Sequence, residues 1–108
     1  MENKRQSLRI PYREAVQFLT PGQSEPEACL ACDLSEGGIR LNSFKFIPLH
    51  EKMALTLQVD TGNPIDVQGR VVWVQRVPHS EYYQVGLVFD PPPANEALEE
   101  LQEYIQSR

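Results

Sequence analysis

The stretch that decides the fold is KMALTLQVD at residues 52–60, in which apolar and polar side chains alternate without a break. This period of two is typical of a β-strand with one buried and one exposed face. The turn residues TGNP at 61–64 end this strand, and a long strand follows at residues 65–77. Gly69 lies inside the long strand, where we expect a bulge that helps the sheet to curl. The apolar face of the first strand consists of Met53, Leu55, Leu57 and Val59.

Shorter β-patterns surround this pair of strands and are separated from one another by turn residues such as Pro21-Gly22. They predict four further strands at residues 13–20, 27–34, 39–44 and 81–90. Six strands in a chain of 108 residues indicate a closed or nearly closed antiparallel barrel, because closure removes the exposed sheet edges that promote aggregation.

After three prolines at 91–93, the spacing of apolar residues changes from two to 3.6, which predicts a helix over 95–106 with Asn95 as its N-cap. The helix is amphipathic, so its apolar stripe needs a surface to cover. We expect that surface to be the barrel's own opening, and a partner protein is the alternative. The fold class is therefore all-β with a C-terminal helix: a six-stranded antiparallel β-barrel capped by one α-helix.

The chain has room for one domain. Residues 1–12 are too polar to join the core and predict a flexible N-terminal arm or a short linker, and residues 13–108 are predicted to form the barrel domain with its helix. No apolar run is long enough to cross a membrane, and the polar start is unlike a secretory signal. We therefore predict no membrane insertion and a cytoplasmic location.

The charge distribution bears on the class of ligand. A net charge of −5 argues against DNA or RNA as partners, although a single-strand binder remains an alternative because Trp73, Tyr82 and Tyr83 could stack on bases. Four cations fall in the first thirteen positions, which suits a small anionic ligand. They are Lys4, Arg5, Arg9 and Arg13.

Two local patterns carry recognition chemistry. The arm sequence RQSLR at 5–9 places two arginines four residues apart, and guanidinium groups match phosphate oxygens and the acceptors of guanine. The sequence DLSEGG at 33–38 places a carboxylate, a hydroxyl and two glycines at a turn between strands, where Asp33 could accept from the donor edge of guanine. Singly, each pattern also fits solvated charge or ordinary turn chemistry.

In this order and setting, the two patterns resemble the signature of PilZ domains, R-x-x-x-R in an arm followed by D/N-x-S-x-x-G after the second strand. The segments SEGGIRL (35–41), GRVVW (69–73) and VGLVF (85–89) are similar to further strands of that family, and the helix corresponds to its closing helix. The resemblance covers nearly the whole chain.

The resemblance implies a receptor for cyclic di-GMP that orders its arm on binding and regulates a protein partner in motility, biofilm or virulence. It implies no other cofactor, and we expect a monomer or weak dimer. A PilZ-like interaction scaffold that binds no nucleotide is the alternative. The resemblance implies ligand contacts from Arg5, Arg9, Asp33, Ser35 and Gly38, with Lys4, Gly37 and Arg13 as secondary candidates.

Other chemically reactive residues do not suggest catalysis. His50 and His79 fall in loops without a nucleophile beside them, so we predict that the protein is not an enzyme and holds no metal. Cys29 and Cys32 form a C-x-x-C within a predicted strand, where alternation sends them to opposite faces and indicates two ordinary thiols. Zinc or redox chemistry is the alternative for them. We place Trp73 in the core, with a position near the ligand as the alternative.

Overall fold

The protein is described by a computed structural model that covers residues 8–59 and 63–108. It contains seven strands and one helix in these residues. They are β1 (Ile10–Pro11), β2 (Ala15–Leu19), β3 (Glu27–Leu34), β4 (Gly38–Ser43), β5 (Lys52–Leu57), β6 (Ile65–Arg76), β7 (Tyr83–Phe89) and α1 (Asn95–Gln106).

Six of the strands close into an antiparallel barrel in the order β3–β2–β5–β6–β7–β4, and β4 pairs back with β3. The short β1 pairs with the last residues of β3, outside this ring. The predicted fold class is confirmed, and the predicted strands match β2 to β7 to within a few residues at each end.

The barrel interior is filled by the apolar faces that the alternation predicts. Met53, Leu55 and Leu57 on β5 are at most 1% exposed, whereas Ala54 between them is exposed. Val85 and Leu87 on β7 are buried in the same way. Each such side chain stabilises the fold by roughly 1.5–3 kcal/mol relative to an exposed position.

Helix α1 packs on the barrel through its apolar stripe. Leu101, Tyr104 and Ile105 are buried, and the Tyr104 ring meets the Tyr12 ring edge to face at a centroid distance of 5.8 Å. The prediction that Asn95 caps this helix is wrong, because Ala94 holds the extended cap position and makes no side-chain cap bond. Within the described residues, no helix combines the length and apolar character that crossing a membrane requires.

The prediction that residues 1–12 stay out of the core is wrong for Ile10 and Tyr12, which are 5% and 1% exposed. Pairing with β3 satisfies the backbone here, and the alternation around Pro11 turns both apolar side chains inward. The Tyr12 hydroxyl donates to the carbonyl of Gln58 at 2.6 Å. Residues 1–7, with Lys4 and Arg5, lie outside the described residues, and the flexibility of that segment stays a prediction.

Two strands contain a β-bulge, but neither bulge lies at Gly69. In β3 the register shifts between Ala31 and Asp33, and in β6 it shifts between Val71 and Trp73. Gly69 keeps a regular pairing opposite Met53. A Cβ at position 69 would lie 2.8 Å from Cδ2 of Leu87, so glycine leaves space for that side chain. The predicted bulge is therefore displaced by three residues along β6.

Candidate functional site

The bulge in β3 turns Asp33 to the outside of the barrel. Ala31 faces the core, and strict alternation would send Asp33 to the same face. Cys32 is the extra residue of the bulge and has no residue opposite it on β4. The alternation is therefore shifted by one residue after it, so that Leu34 is buried in the core and Asp33 pairs with Arg40 on the outer face.

The bulge in β6 does the same for Trp73. Val71 is buried in the core, Val72 is the extra residue, and Trp73 pairs with Gly86 of β7 on the outer face. The prediction that Trp73 belongs to the core is wrong, since 38% of the residue is exposed. Its ring lies on Gly86, where a Cβ would come within 2.2 Å of the indole Nε1.

The two bulges bring four side-chain positions into one row on the outer face. The register pairs Asp33 with Arg40, Arg40 with Gly86, and Gly86 with Trp73. The row therefore crosses β3, β4, β7 and β6, about 14 Å at the usual spacing of strands. An acid, a cation and an aromatic surface lie along it.

Asp33 is held by two arginines. Its Oδ1 accepts from Arg9 Nη1 at 2.5 Å, and its Oδ2 accepts from Arg40 Nη2. The side chain of Asp33 is only 10% exposed, so these two ion pairs replace most of its contact with water. Arg9 also donates from Nη2 to the Ser35 hydroxyl at 3.5 Å. The pairing of Ile10 with Leu34 places the arm here, because it sets Arg9 beside the end of β3.

The turn after β3 is a compact hydrogen-bonded unit. The backbone N–H of Ser35 donates to the carbonyl of Gly38 at 2.9 Å, and the Ser35 hydroxyl accepts from the N–H of Gly37 at 3.3 Å. At Gly38 a Cβ would lie 2.2 Å from the carbonyl oxygen of Leu87 on β7. At Gly37 a Cβ would meet nothing within 4 Å. Gly38 is therefore required by the closure of the barrel.

A groove of about 280 Å³ lies beside the part of the row formed by Arg40, Gly86 and Trp73, and Asp33 is not among the residues that line it. The lining combines the charged groups of Arg9 and Arg40 with the ring of Trp73. Guanidinium donors and an exposed indole face together suit a ligand that carries both anionic groups and aromatic rings. The remaining lining residues are Ile39, Val72, Gly86, Leu87 and Val88.

The structure brings three of the predicted site residues into direct contact: Arg9, Asp33 and Ser35. Gly37 and Gly38 belong to the same turn, whereas Arg13 is exposed in the connection between β1 and β2. Sequence reasoning missed Arg40 and Gly86 altogether. A signal was available for Arg40, because it is the second residue after the DLSEGG turn and is the only cation in β4.

The two thiols of the C-x-x-C are free. Burial raises the pKa of Cys29 to about 12, and its side chain packs against the core. Burial also raises the pKa of Cys32, the bulge residue, whose sulfur accepts from Gln84 Nε2 at 3.8 Å. Raised pKa values disfavour the thiolate form that redox and metal chemistry need. Within residues 8–59 and 63–108, no group of three metal-ligating side chains is found.

Comparison with known families gives one decisive match: the family model of the PilZ domain covers residues 3–107. The chain belongs to the PilZ family.

Solved structures show the same fold. The inhibitor of motility MotI/DgrA of Bacillus subtilis matches this PilZ chain with a TM-score of 0.78 and 21% identity, over 97% of this chain and 51% of that one. PlzA of Borreliella burgdorferi, determined in complex with c-di-GMP, matches with a TM-score of 0.66 and 17% identity, over 95% of this chain and 41% of that one. The PilZ chain thus spans about half the length of these proteins or less. No curated protein matches it.

Proposed function

We propose that this PilZ domain is a receptor for cyclic di-GMP that passes the signal to a protein partner and catalyses no reaction. The observation that carries the proposal is the outer-face row of Asp33, Arg40, Gly86 and Trp73 with Arg9 at its end. A carboxylate for the base edge, guanidinium groups for the phosphates and an aromatic ring for stacking are the three kinds of group that suit a cyclic purine dinucleotide.

Each group on the row suits a different part of the ligand. Asp33 is an acceptor for the N1–H and N2–H donors of guanine, and the Ser35 hydroxyl, which accepts from the same Arg9, is a second proposed contact. Arg9 offers paired donors to a phosphate, and Arg5, four residues earlier in the sequence, is proposed to do the same. The exposed face of Trp73 offers a stacking surface to the second base. Gly38 remains a proposed contact through its backbone.

Binding then involves an exchange at Asp33. Arg9 contacts Oδ1, the oxygen that a guanine edge would use. When guanine takes that oxygen, Arg9 becomes available for a phosphate, and the arm closes over the nucleotide. Arg9 immediately precedes β1, whose pairs Ile10–Leu34 and Pro11–Asp33 hold it to the barrel while Arg9 changes partner. The arm is therefore the element that we propose a partner reads.

A partner-binding role is also supported by exposed aromatic side chains outside the groove. Phe44 and Phe46 follow β4 and are 71% and 57% exposed. The Phe44 ring packs on Tyr82 in a tilted arrangement with centroids 4.4 Å apart, and the Phe46 ring meets Tyr83 edge to face at 5.4 Å. Exposed aromatic groups of this kind are typical of contact surfaces. The pathway served, motility among the possibilities, is part of the proposal.

Isothermal titration calorimetry tests the proposal, with cyclic di-GMP as ligand and GTP and cyclic di-AMP as controls. We expect selective binding of cyclic di-GMP. Replacing Arg5 or Arg9 by Ala removes a charge-assisted contact worth roughly 2–5 kcal/mol, which weakens binding at least about 30-fold. Lys45→Ala is the matched control, because Lys45 pairs with Glu27 at the surface at 2.9 Å and is absent from the groove.

Absence of heat and of any thermal shift with cyclic di-GMP would favour the scaffold alternative, in which the barrel binds only protein. Near-normal affinity in both arginine variants would overturn the site assignment while leaving the receptor function in place. Amide hydrogen exchange tests the switch: saturating ligand should slow exchange in residues 1–13, and unchanged exchange there would exclude ordering of the arm.

A further inference from the structure

We infer that Arg40 is a positioning residue of the nucleotide site, which keeps the Asp33 carboxylate paired and oriented while Arg9 gives up its place to guanine. The inference rests on the proposed function and adds to it a residue that lies outside both signature motifs. Arg40 is the residue opposite Asp33 on β4, and it donates to Oδ2 while Arg9 donates to Oδ1.

The two arginines differ in how they are attached to the barrel. Arg9 precedes β1, a strand of two residues that pairs on one side only. Arg40 lies inside β4, which pairs with β3 on one side and with β7 on the other. Arg40 therefore keeps its position when the arm moves. This asymmetry fits one fixed and one exchangeable partner for the same carboxylate.

The burial of Asp33 makes the fixed partner necessary. With 10% of its side chain exposed, Asp33 has little access to water that could replace a departing cation. Within the described residues, Arg9 and Arg40 are the cations that contact it. If Arg9 leaves for a phosphate, Arg40 alone compensates the charge. A carboxylate has about four acceptor positions, so Oδ2 can serve Arg40 and a guanine donor together.

The guanidinium of Arg40 is itself oriented by this contact. Its Nε is buried and has no hydrogen-bond partner in the described part of the chain, so Asp33 is the group that holds the fork. The pair thus behaves as one unit: Arg40 fixes the angle of the carboxylate, and the carboxylate fixes the guanidinium beside the groove. Without Arg40, Asp33 would be held only by the residue that has to leave.

This arrangement predicts a loss of base selectivity as well as of affinity. The 2-amino group of guanine reaches a correctly angled carboxylate, and hypoxanthine lacks that group. A hydrogen bond to a charged acceptor discriminates by about 10- to 100-fold, which is the preference we expect of the wild type for cyclic di-GMP over cyclic di-IMP. In Arg40→Gln the preference should fall below about threefold, and affinity for cyclic di-GMP should fall at least about 10-fold.

The experiment measures both dissociation constants for wild type, Arg40→Gln, Arg40→Lys and Arg70→Gln. Arg40→Lys retains the charge and should recover part of the affinity for cyclic di-GMP, which also keeps the test usable if Arg40→Gln is poorly folded. Arg70→Gln is the matched control: Arg70 lies on β6, pairs with Asp90 at 3.0 Å, and is exposed to a similar extent, 36% against 41% for Arg40. We expect it to leave both constants unchanged.

The outcomes separate the inference from the function on which it rests. Wild-type affinity and preference in Arg40→Gln overturn the inference and leave the receptor in place. An equal loss for both nucleotides, with the preference intact, also overturns it, because that is the result of a purely structural role. If the wild type binds neither nucleotide, the proposed function fails and the role of Arg40 fails with it.

Discussion

The substitution Gly38→Ala tests whether the last glycine of the DLSEGG turn is needed by the barrel itself. The added Cβ would lie 2.2 Å from the carbonyl oxygen of Leu87 and 3.4 Å from the Cα of Val88. Both are backbone atoms of β7, so no side-chain rotation relieves the contact. To restore an ordinary contact distance, β4 and β7 must move apart by about 1 Å where they pair.

The energetic cost can be estimated from what that movement disturbs. The carbonyl of Gly38 accepts from Ser35 at 2.9 Å, and the carbonyl of Gly37 accepts from Phe89 at 2.9 Å. Each of these bonds contributes about 0.5–1.5 kcal/mol, and overpacking adds about 1–3 kcal/mol. The free energy of unfolding should therefore fall by roughly 2–6 kcal/mol, and a loss of only 2 kcal/mol lowers Tm by about 10 °C in a domain of this size.

Gly37→Ala is the matched control, because a Cβ there meets nothing within 4 Å. Urea unfolding followed by tryptophan fluorescence compares the two variants with the wild type. We expect Gly37→Ala to lie within about 1 kcal/mol of the wild type. Equal stability of Gly38→Ala and wild type would refute the reasoning and would leave ligand contact as the reason for glycine at position 38.

Three further predictions concern individual contacts. Gly86→Ala places a Cβ 2.2 Å from the indole of Trp73, so the ring must tilt. We expect a shifted Trp73 emission maximum together with weaker binding of cyclic di-GMP, and an unchanged spectrum would contradict this. Tyr12→Phe removes a buried hydrogen bond and should lower the free energy of unfolding by about 1 kcal/mol at neutral pH. Since burial raises the pKa of Tyr12 from 10.0 to about 12, the unfolded chain ionises first, and the wild type should lose stability between pH 10 and 12 more steeply than the variant. Alkylation followed by mass spectrometry should label Cys32 before Cys29, because burial raises the pKa of Cys29 to about 12 and its side chain packs against the core. Labelling of Cys29 first would contradict this difference in burial.

The sequence predicts the barrel well because the strands bury one face and therefore alternate. The face of β5 that carries Met53 and Leu55 can be read directly, as can the helix from the change of period after residue 93. The sequence does not reveal that the end of the arm is buried, because residues 1–12 are polar on average. Ile10 and Tyr12 alternate too, but a strand of two residues is too short to give a periodic signal.

The candidate site was predictable only where it coincides with the two motifs. Arg9, Asp33 and Ser35 lie within them and come together in the structure. Arg40 and Trp73 reach the same groove through strand pairing, which connects residues far apart in the chain. Register between strands depends on the whole barrel, and a residue's own neighbours in sequence do not encode it.

The two bulges explain why the site lies where the alternation fails. A closed barrel fills its interior with the apolar face of every strand, so a residue that meets a ligand on the wall must lie on the other face. Asp33 follows Ala31 by two residues and Trp73 follows Val71 by two, so in regular strands both would point into the core. A single extra residue reverses the phase of everything after it.

The same reversal gives the motif its chemistry. Without the bulge at Cys32, Asp33 would point into the barrel interior, among apolar side chains and with no cation beside it. Burial of an unpaired carboxylate there would strongly destabilise the fold. The motif therefore specifies which residues the site contains, and the bulge places the Asp33 side chain on the outer face, where it pairs with Arg9 and Arg40. Because β6 carries the second bulge, the row combines residues from both halves of the chain, with β3 and β4 in the first half and β6 and β7 in the second.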